Sequence, residues 1–163
     1  MTLLQSFLAW LEHTEIATAI REGTSFFPWF ESIHVLAITT VVGTIAIVDL
    51  RLLGLSSRDR PVSELMAEVL PFTRGAFIVA ALTGSLLFAS HASDYMHKSP
   101  FMAKLILLGV ALVNIVVFHL ITARGIQTWN TGPKLPARVK VAGGTSLALW
   151  VAVVACGRWT GFV

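Results

Sequence analysis

Long apolar stretches separated by short polar segments dominate the pattern along this chain. A helix needs about 20 residues to cross a hydrocarbon core of about 30 Å. Apolar runs of that length lie at about residues 29–50, 75–95, 101–123 and 141–162. The connecting segments are short, and no internal repeat stands out. The pattern predicts an all-α integral membrane protein, with residues 1–163 forming one antiparallel four-helix transmembrane domain.

Two further helices are predicted outside the spans. Residues 2–22 place apolar side chains near one helical face, which is typical of an amphipathic helix lying in the membrane interface. The segment lacks a basic start and a small-residue cleavage site, so it is not interpreted as a signal peptide. Residues 62–70 predict a brief amphipathic helix in the first inner loop, ended by Pro71.

Composition and charge agree with a membrane location. Hydrophobic residues make up 55% of the chain, charged ones 13%, and the mean hydropathy is +0.77. Eight of the twelve basic residues lie in the loops after spans one and three. They are Arg51, Arg58, Arg60, Arg74, Arg124, Lys134, Arg138 and Lys140. Because short cytoplasmic loops retain Lys and Arg, both termini are predicted to face away from the cytoplasm. The net charge of +3 restates this asymmetry and does not indicate nucleic-acid binding.

Two histidines in neighbouring spans are candidate haem ligands. His34 and His91 are predicted within about one helical turn of the same depth, near the outer face. Gly84 lies on the same side of its span as His91 and leaves room below it. Two imidazoles beside an apolar slot suit a b-type haem, with His34 and His91 on the iron. The predicted propionate partners are Lys98, Lys104, Arg158 and Arg21. The alternatives are histidines satisfied by hydrogen bonds to carbonyls or serines, and a different metal or ligand site.

A second polar group is predicted at the inner side. Asp49, Arg51, Arg74 and His119 are expected at one depth, far from His34. A carboxylate, an imidazole and two guanidinium groups could form a proton-uptake or quinone-head site. The alternative is an interfacial salt-bridge cluster that anchors the bundle. Asn114 is expected to bond across helices, and Lys104 to hold a propionate or pair with Asp94.

Two segments carry a family resemblance. The stretches IHVLAITTVVGTIAIVDLRLLGL and SPFMAKLILLGVALVNIVVFH resemble an uncharacterised family of bacterial four-span inner-membrane proteins, over about residues 26–124. The resemblance implies a bacterial inner-membrane location, in which termini that face away from the cytoplasm, as the basic residues predict, would be periplasmic. The positions it draws attention to are His34, Asp49, Leu50, Arg51, Lys104, Asn114 and His119. His91 is not among them, so a haem common to the family would need another ligand. The architecture is also loosely similar to four-helix cytochrome b membrane anchors.

These patterns lead to one functional hypothesis and two alternatives. The leading hypothesis is a small cytochrome b-like subunit that relays electrons between a periplasmic redox partner and the quinone pool through haem b. The first alternative is a non-redox anchoring or assembly subunit that binds other membrane or periplasmic subunits or a second copy. The other is a small metal- or solute-handling protein. Phosphate-loop, zinc-protease and nucleophile-elbow motifs are missing from the sequence, so any enzymatic activity would depend on a cofactor or partner.

Overall fold

The fold is helical throughout the part of the chain that the structure describes. A computed structural model describes residues 3–126, 129–130 and 135–163. The α-helices are α1 (Leu3–Glu12), α2 (Glu15–Glu22), α3 (Phe26–Leu53), α4 (Val62–Ser90), α5 (Ala92–His97), α6 (Ser99–Val117) and α7 (Ala137–Trp159). A π-helical turn, Phe118–Thr122, continues α6. The predicted all-α class is confirmed.

Four helices among the described residues are long and apolar enough to cross a membrane. They are α3, α4, α6 with its π-helical turn, and α7. Large apolar side chains such as Leu36, Leu82 and Ile106 point away from the bundle and are more than half exposed. Such a surface requires an apolar solvent, so the chain is a multi-pass membrane protein whose spans contact lipid.

The second span is longer than the sequence pattern predicts. α4 runs through Pro71 without a break, so the separate short helix predicted at residues 62–70 is wrong. A proline inside a helix removes one backbone hydrogen bond. The ring of Pro71 lies on the exposed side of α4, and the helix packs along most of the length of α3. That continuous packing outweighs the missing bond.

The four spans pack side by side in the order α4, α3, α7, α6. Within the described residues, α3 packs extensively against α4 and α7, and α6 packs against α7, while α4 and α6 touch little. Gly143 permits the close approach of α7 to α3, because a Cβ atom there would lie 2.9 Å from Leu52 Cβ and 3.2 Å from the Asp49 carbonyl oxygen. The row curves into a horseshoe, with a cleft between α4 and α6.

The N-terminal segment forms two short helices, α1 and α2, rather than the single predicted helix. The helix is interrupted between α1 and α2, where the Thr14 hydroxyl accepts a hydrogen bond from Ala17 N and caps α2. These two N-terminal helices cover helix ends at one end of the bundle, called here the outer end. Glu12 Oε1 accepts from Ser93 N at 2.6 Å, and Arg21 Nη1 donates to the Ser90 carbonyl at 3.4 Å. Arg21 therefore contacts the end of α4 and lies outside the lining of either cavity described below.

The opposite, inner end holds the loop between α3 and α4 and the segment before α7. Asn130 joins them, since its Oδ1 atom accepts from Ser63 N at 2.8 Å and thereby caps α4. Lys134, together with Gly132 and Pro133, which the sequence suggests as helix breakers, lies outside the described residues.

Candidate functional site: two intramembrane cavities

An inner cavity of about 450 Å³ lies in the horseshoe, towards the inner end of the spans. All four spans line it, and its walls are mostly apolar. Its polar lining residues include Asp49, Arg74, Asn114, His119 and Ser146. The sequence predicted that Asp49, Arg74 and His119 share a depth, and the structure brings these three to one cavity. Their common location follows from the antiparallel order of the spans.

Asp49 is the most deeply buried ionisable side chain of the inner cavity. It is 4% exposed, and the Ser146 hydroxyl is its hydrogen-bonding neighbour. Its Oδ2 atom has no hydrogen-bond partner among the described residues. Leaving a buried acceptor unpaired costs about 1–3 kcal/mol. A ligand that supplies a donor at this atom would recover that free energy.

His119 lies in the π-helical turn, a feature that the sequence did not predict. The Ala123 N–H donates to the Phe118 carbonyl at 2.7 Å, a bond that spans five residues instead of four. Such turns are rare in proteins, but those that do occur are often located at functional sites. His119 Nδ1 lies 2.9 Å from the Ile115 carbonyl oxygen, which can only accept. We therefore assign the ring proton to Nδ1, which leaves Nε2 as an acceptor at the cavity wall.

Arg51 does not belong to this group, contrary to the expectation from sequence. Its side chain is 1% exposed and lies outside the cavity lining. Nε donates to the Arg60 carbonyl at 3.0 Å and Nη2 to the Asn130 carbonyl at 3.4 Å. The reason is geometric: residues two positions apart on a helix project in nearly opposite directions, so Arg51 points away from Asp49 and into the inner loops.

An outer cavity of about 340 Å³ lies near the other end of the spans. Its polar and charged lining differs from that of the inner cavity and comprises Glu31, His34, Thr39, Tyr95, Lys98, Lys104, Arg158 and Thr160. Burial raises the pKa of the Tyr95 phenol, and the Glu31 and Asp94 carboxylates add to that effect. His34, Gly84, Lys104 and Arg158, all predicted from sequence, line this one cavity.

The imidazole of His34 occupies the space that Gly84 leaves open. A Cβ atom at Gly84 would lie 2.7 Å from His34 Cε1, so the gap predicted below His91 is filled by this ring. His34 Nδ1 lies 3.0 Å from Thr83 Oγ1, which itself donates to the Val79 carbonyl at 2.7 Å. Since the hydroxyl proton is used there, Thr83 accepts from His34. We assign the ring proton to Nδ1 and the free lone pair to Nε2.

His91 lies elsewhere. It occupies the break between α4 and α5, its Nδ1 atom is 3.0 Å from Ser90 Oγ, and its ring packs edge-on against Phe27. Gly84, which the His34 ring contacts, precedes His91 by two helical turns, or about 10 Å along the axis. The two histidines therefore lie at different depths, and His91 is outside the outer-cavity lining. Haem b remains a prediction, and of the two expected ligands only His34 faces the cavity.

A packed layer separates the two cavities. Val41, Ala111, Trp150 and Val153 form a buried cluster at mid-height of the spans. Trp150 borders the inner cavity and Val153 the outer one. Among the residues the structure describes, no three His, Cys, Asp or Glu side chains converge as a metal-binding group.

The fold and cavities define a class: an all-helical, multi-pass membrane protein with four spans, two short N-terminal helices and polar groups set in intramembrane cavities. The chain belongs to the family of unknown function DUF6644, which matches residues 7–163. This confirms the resemblance to an uncharacterised four-span family and extends it over nearly the whole chain. Comparisons with curated proteins and with solved structures gave no match.

Proposed function

We propose that the protein binds a quinol-type amphiphile, drawn from the bilayer, in its inner cavity. The observation that carries the proposal is the buried Oδ2 atom of Asp49, which has no partner in the described part of the chain and lies in a largely apolar cavity between the spans. A hydroxyl group of the ligand would donate to this atom.

The other polar groups restrict the chemistry of the ligand head. His119 Nε2 offers a second acceptor, whereas Arg74 and Asn114 offer donors. A cationic head is disfavoured because the Arg74 guanidinium lines the same cavity. A neutral head with hydroxyl groups, which both donate and accept, satisfies all four residues.

The walls of the cavity favour a flat, apolar body. Aromatic rings line it at Phe77, Phe118 and Trp150. The α4 and α6 sides of the opening carry Ile78 and Leu112, which are 58% and 49% exposed. A lipid-soluble ring compound would pass between these helices without crossing water. An aromatic diol with an apolar tail combines both requirements.

Quenching of tryptophan fluorescence tests this proposal. Trp150 is 5% exposed and lines the inner cavity, whereas Trp159 is 64% exposed at the outer end of α7. In nanodiscs, a short-chain benzoquinone should quench the protein in a saturable way, and its quinol should compete. The quinol should bind about tenfold more tightly, because its hydroxyl adds a bond worth roughly 1–3 kcal/mol at Asp49.

Two variants make that test specific. Trp150→Phe should remove the saturable quenching, while Trp159→Phe, the matched control, should retain it. Equal quenching of the two variants would place the quinone outside the inner cavity. Equal affinity for quinone and quinol would refute a ligand hydroxyl that donates to Asp49.

We further propose the orientation and setting expected from the basic residues: a bacterial inner membrane, with the outer end of the bundle in the periplasm. Arg58, Arg60, Arg124, Arg138 and Lys140 lie at or near the inner end, which supports this orientation. A quinol site would suit a subunit of an electron-transfer complex, with a periplasmic or membrane redox partner. The haem b predicted at His34 from sequence is not part of this proposal, and a reduced-minus-oxidised absorption signal would be its test.

Cysteine labelling tests the orientation. The chain has a single cysteine, Cys156, so Cys156→Ser gives an unlabelled background. In that background, an impermeant maleimide should label Glu15→Cys in cells with a permeabilised outer membrane. Asp59→Cys, in the exposed inner loop, should react only after lysis. The reverse pattern would invert the proposed topology.

A further inference from the structure

The outer cavity concentrates positive charge near one end of the spans. Lys98, Lys104 and Arg158 line it, and Glu31 is the one carboxylate in the described lining. Lys98 and Lys104 are half-buried. Like charges gathered in a partly dry space repel one another, so an anion bound among them would lower the free energy of the site.

No carboxylate among the described residues forms an ion pair with these three cations. Across the described residues, ion pairs involve Arg21 and Arg60, so the predicted pair between Lys104 and Asp94 is not formed. Lys98 Nζ instead donates to the Thr160 carbonyl at 3.2 Å. Lys104 Nζ lies 5.9 Å from the centre of the Phe101 ring. Weak contacts of this kind leave the ammonium groups able to bind an external anion.

The glycine in the last turns of α7 helps to place Lys104. A Cβ atom at Gly157 would lie 3.7 Å from Lys104 Cδ and 3.9 Å from its Nζ, so the lysine lies against a surface without a side chain. Arg158, the next residue, stacks its guanidinium 4.6 Å from the centre of the Phe162 ring. The two helices α6 and α7 thereby direct cationic groups to one cavity.

Below the cations the cavity is aliphatic. Val35, Ile38, Leu87, Val153 and Val154 line it. Val35 and Val154 are 54% and 40% exposed, so the apolar wall continues onto the surface that faces lipid. A hydrocarbon chain could extend from the cavity into the bilayer without leaving apolar surroundings.

We propose that the outer cavity binds an anionic phospholipid, with its phosphate among Lys98, Lys104 and Arg158 and an acyl chain along the aliphatic wall. Charge complementarity identifies the head, and the continuous apolar wall identifies the tail. This site is separate from the inner cavity and does not depend on quinol binding. Lipid is preferred over haem because His91 is outside the cavity and the slot at Gly84 is filled by His34.

Native mass spectrometry of the full chain tests the site. After reconstitution with equal amounts of phosphatidylglycerol and phosphatidylcholine, the protein should retain phosphatidylglycerol selectively. Lys104→Met keeps the aliphatic stem but removes the charge, and it should lower that retention by about tenfold or more. Lys104→Arg should restore it. Lys140→Met, exposed at the inner end of α7, is the matched control and should behave as the wild type.

Four results would overturn the proposal. Unchanged phosphatidylglycerol retention in Lys104→Met would show that the Lys104 ammonium group does not bind the lipid. Equal retention of phosphatidylcholine would show that the negative charge is not recognised. Thermal stabilisation by inorganic phosphate equal to that by phosphatidylglycerol would identify a free-anion site. A haem absorption band that is lost in Lys104→Met, without any bound phosphatidylglycerol, would assign the cavity to haem b.

Discussion

Asp49→Leu should lose quinol binding while the protein becomes no less stable. The substitution removes the acceptor at Oδ2, so the affinity measured by competition against Trp150 quenching should fall by roughly 10- to 100-fold, as expected for 1–3 kcal/mol. Leucine removes the unpartnered Oδ2 atom but also the bond of the carboxyl to Ser146, and because these two effects oppose each other the thermal midpoint should stay close to that of the wild type. Quinol affinity would then fall without a matching loss of stability.

The exposed Asp59 provides the matched control for this substitution. Asp59→Leu should leave both quinol affinity and the thermal midpoint close to wild type. An Asp49→Leu protein with wild-type affinity would refute the proposed ligand contact. A large loss of stability would show instead that the Asp49 carboxyl supports the packing of α3 against α7 through Ser146.

Arg51→Met should be among the most destabilising single substitutions at the inner end. Methionine preserves the length of the side chain but leaves the Arg60 and Asn130 carbonyls without their charged donor. With each such bond worth about 1.5–3 kcal/mol, we expect a loss of about 3 kcal/mol or more. For a chain of this size that corresponds to a fall of roughly 6–12 °C in the thermal midpoint.

Arg58 separates this effect from a general loss of positive charge. Its side chain is exposed and bonds to the Gly54 carbonyl, so Arg58→Met should cost less than about 1 kcal/mol. The thermal midpoint of Arg51→Lys should lie between those of Arg51→Met and Arg58→Met, since one ammonium group cannot reproduce the paired donors of the guanidinium. Similar thermal midpoints for Arg51→Met and Arg58→Met would contradict the structural role assigned to Arg51.

The spans were predictable from sequence, but their ends and packing order were not. An apolar run reports that a helix fits the bilayer, and it does so for all four spans. An apolar run does not predict where the helix begins or ends. The helix α4 continues through Pro71 because it packs against α3. It ends at Ser90, where Arg21 and the N-terminal helices contact it. Both effects arise from residues distant in sequence, as does the π-helical turn at His119.

The depth of a residue along its span predicted which cavity it lines better than the predicted pairing of particular side chains did. Counting residues from the membrane boundary placed Asp49, Arg74 and His119 together, and it placed Lys104 and Arg158 together. It failed for Arg51, where the direction of the side chain around the helix decides the environment. It also failed for His91, because the end of α4 at Ser90 removes this residue from the span. Ser146 and Trp150 carry no distinguishing sequence signal, and only the packing of α7 brings them to Asp49.

The packed layer around Trp150 separates one cavity near the inner membrane surface from another near the outer surface. If both binding proposals hold, the cavities above and below this layer would draw on different monolayers of the same membrane, and the two monolayers need not share a lipid composition. Exchange of a molecule on one side need not disturb the other, because Val41, Ala111 and Val153 complete a dry partition. Under these proposals, one small bundle would be in equilibrium with two chemically distinct lipid populations at once.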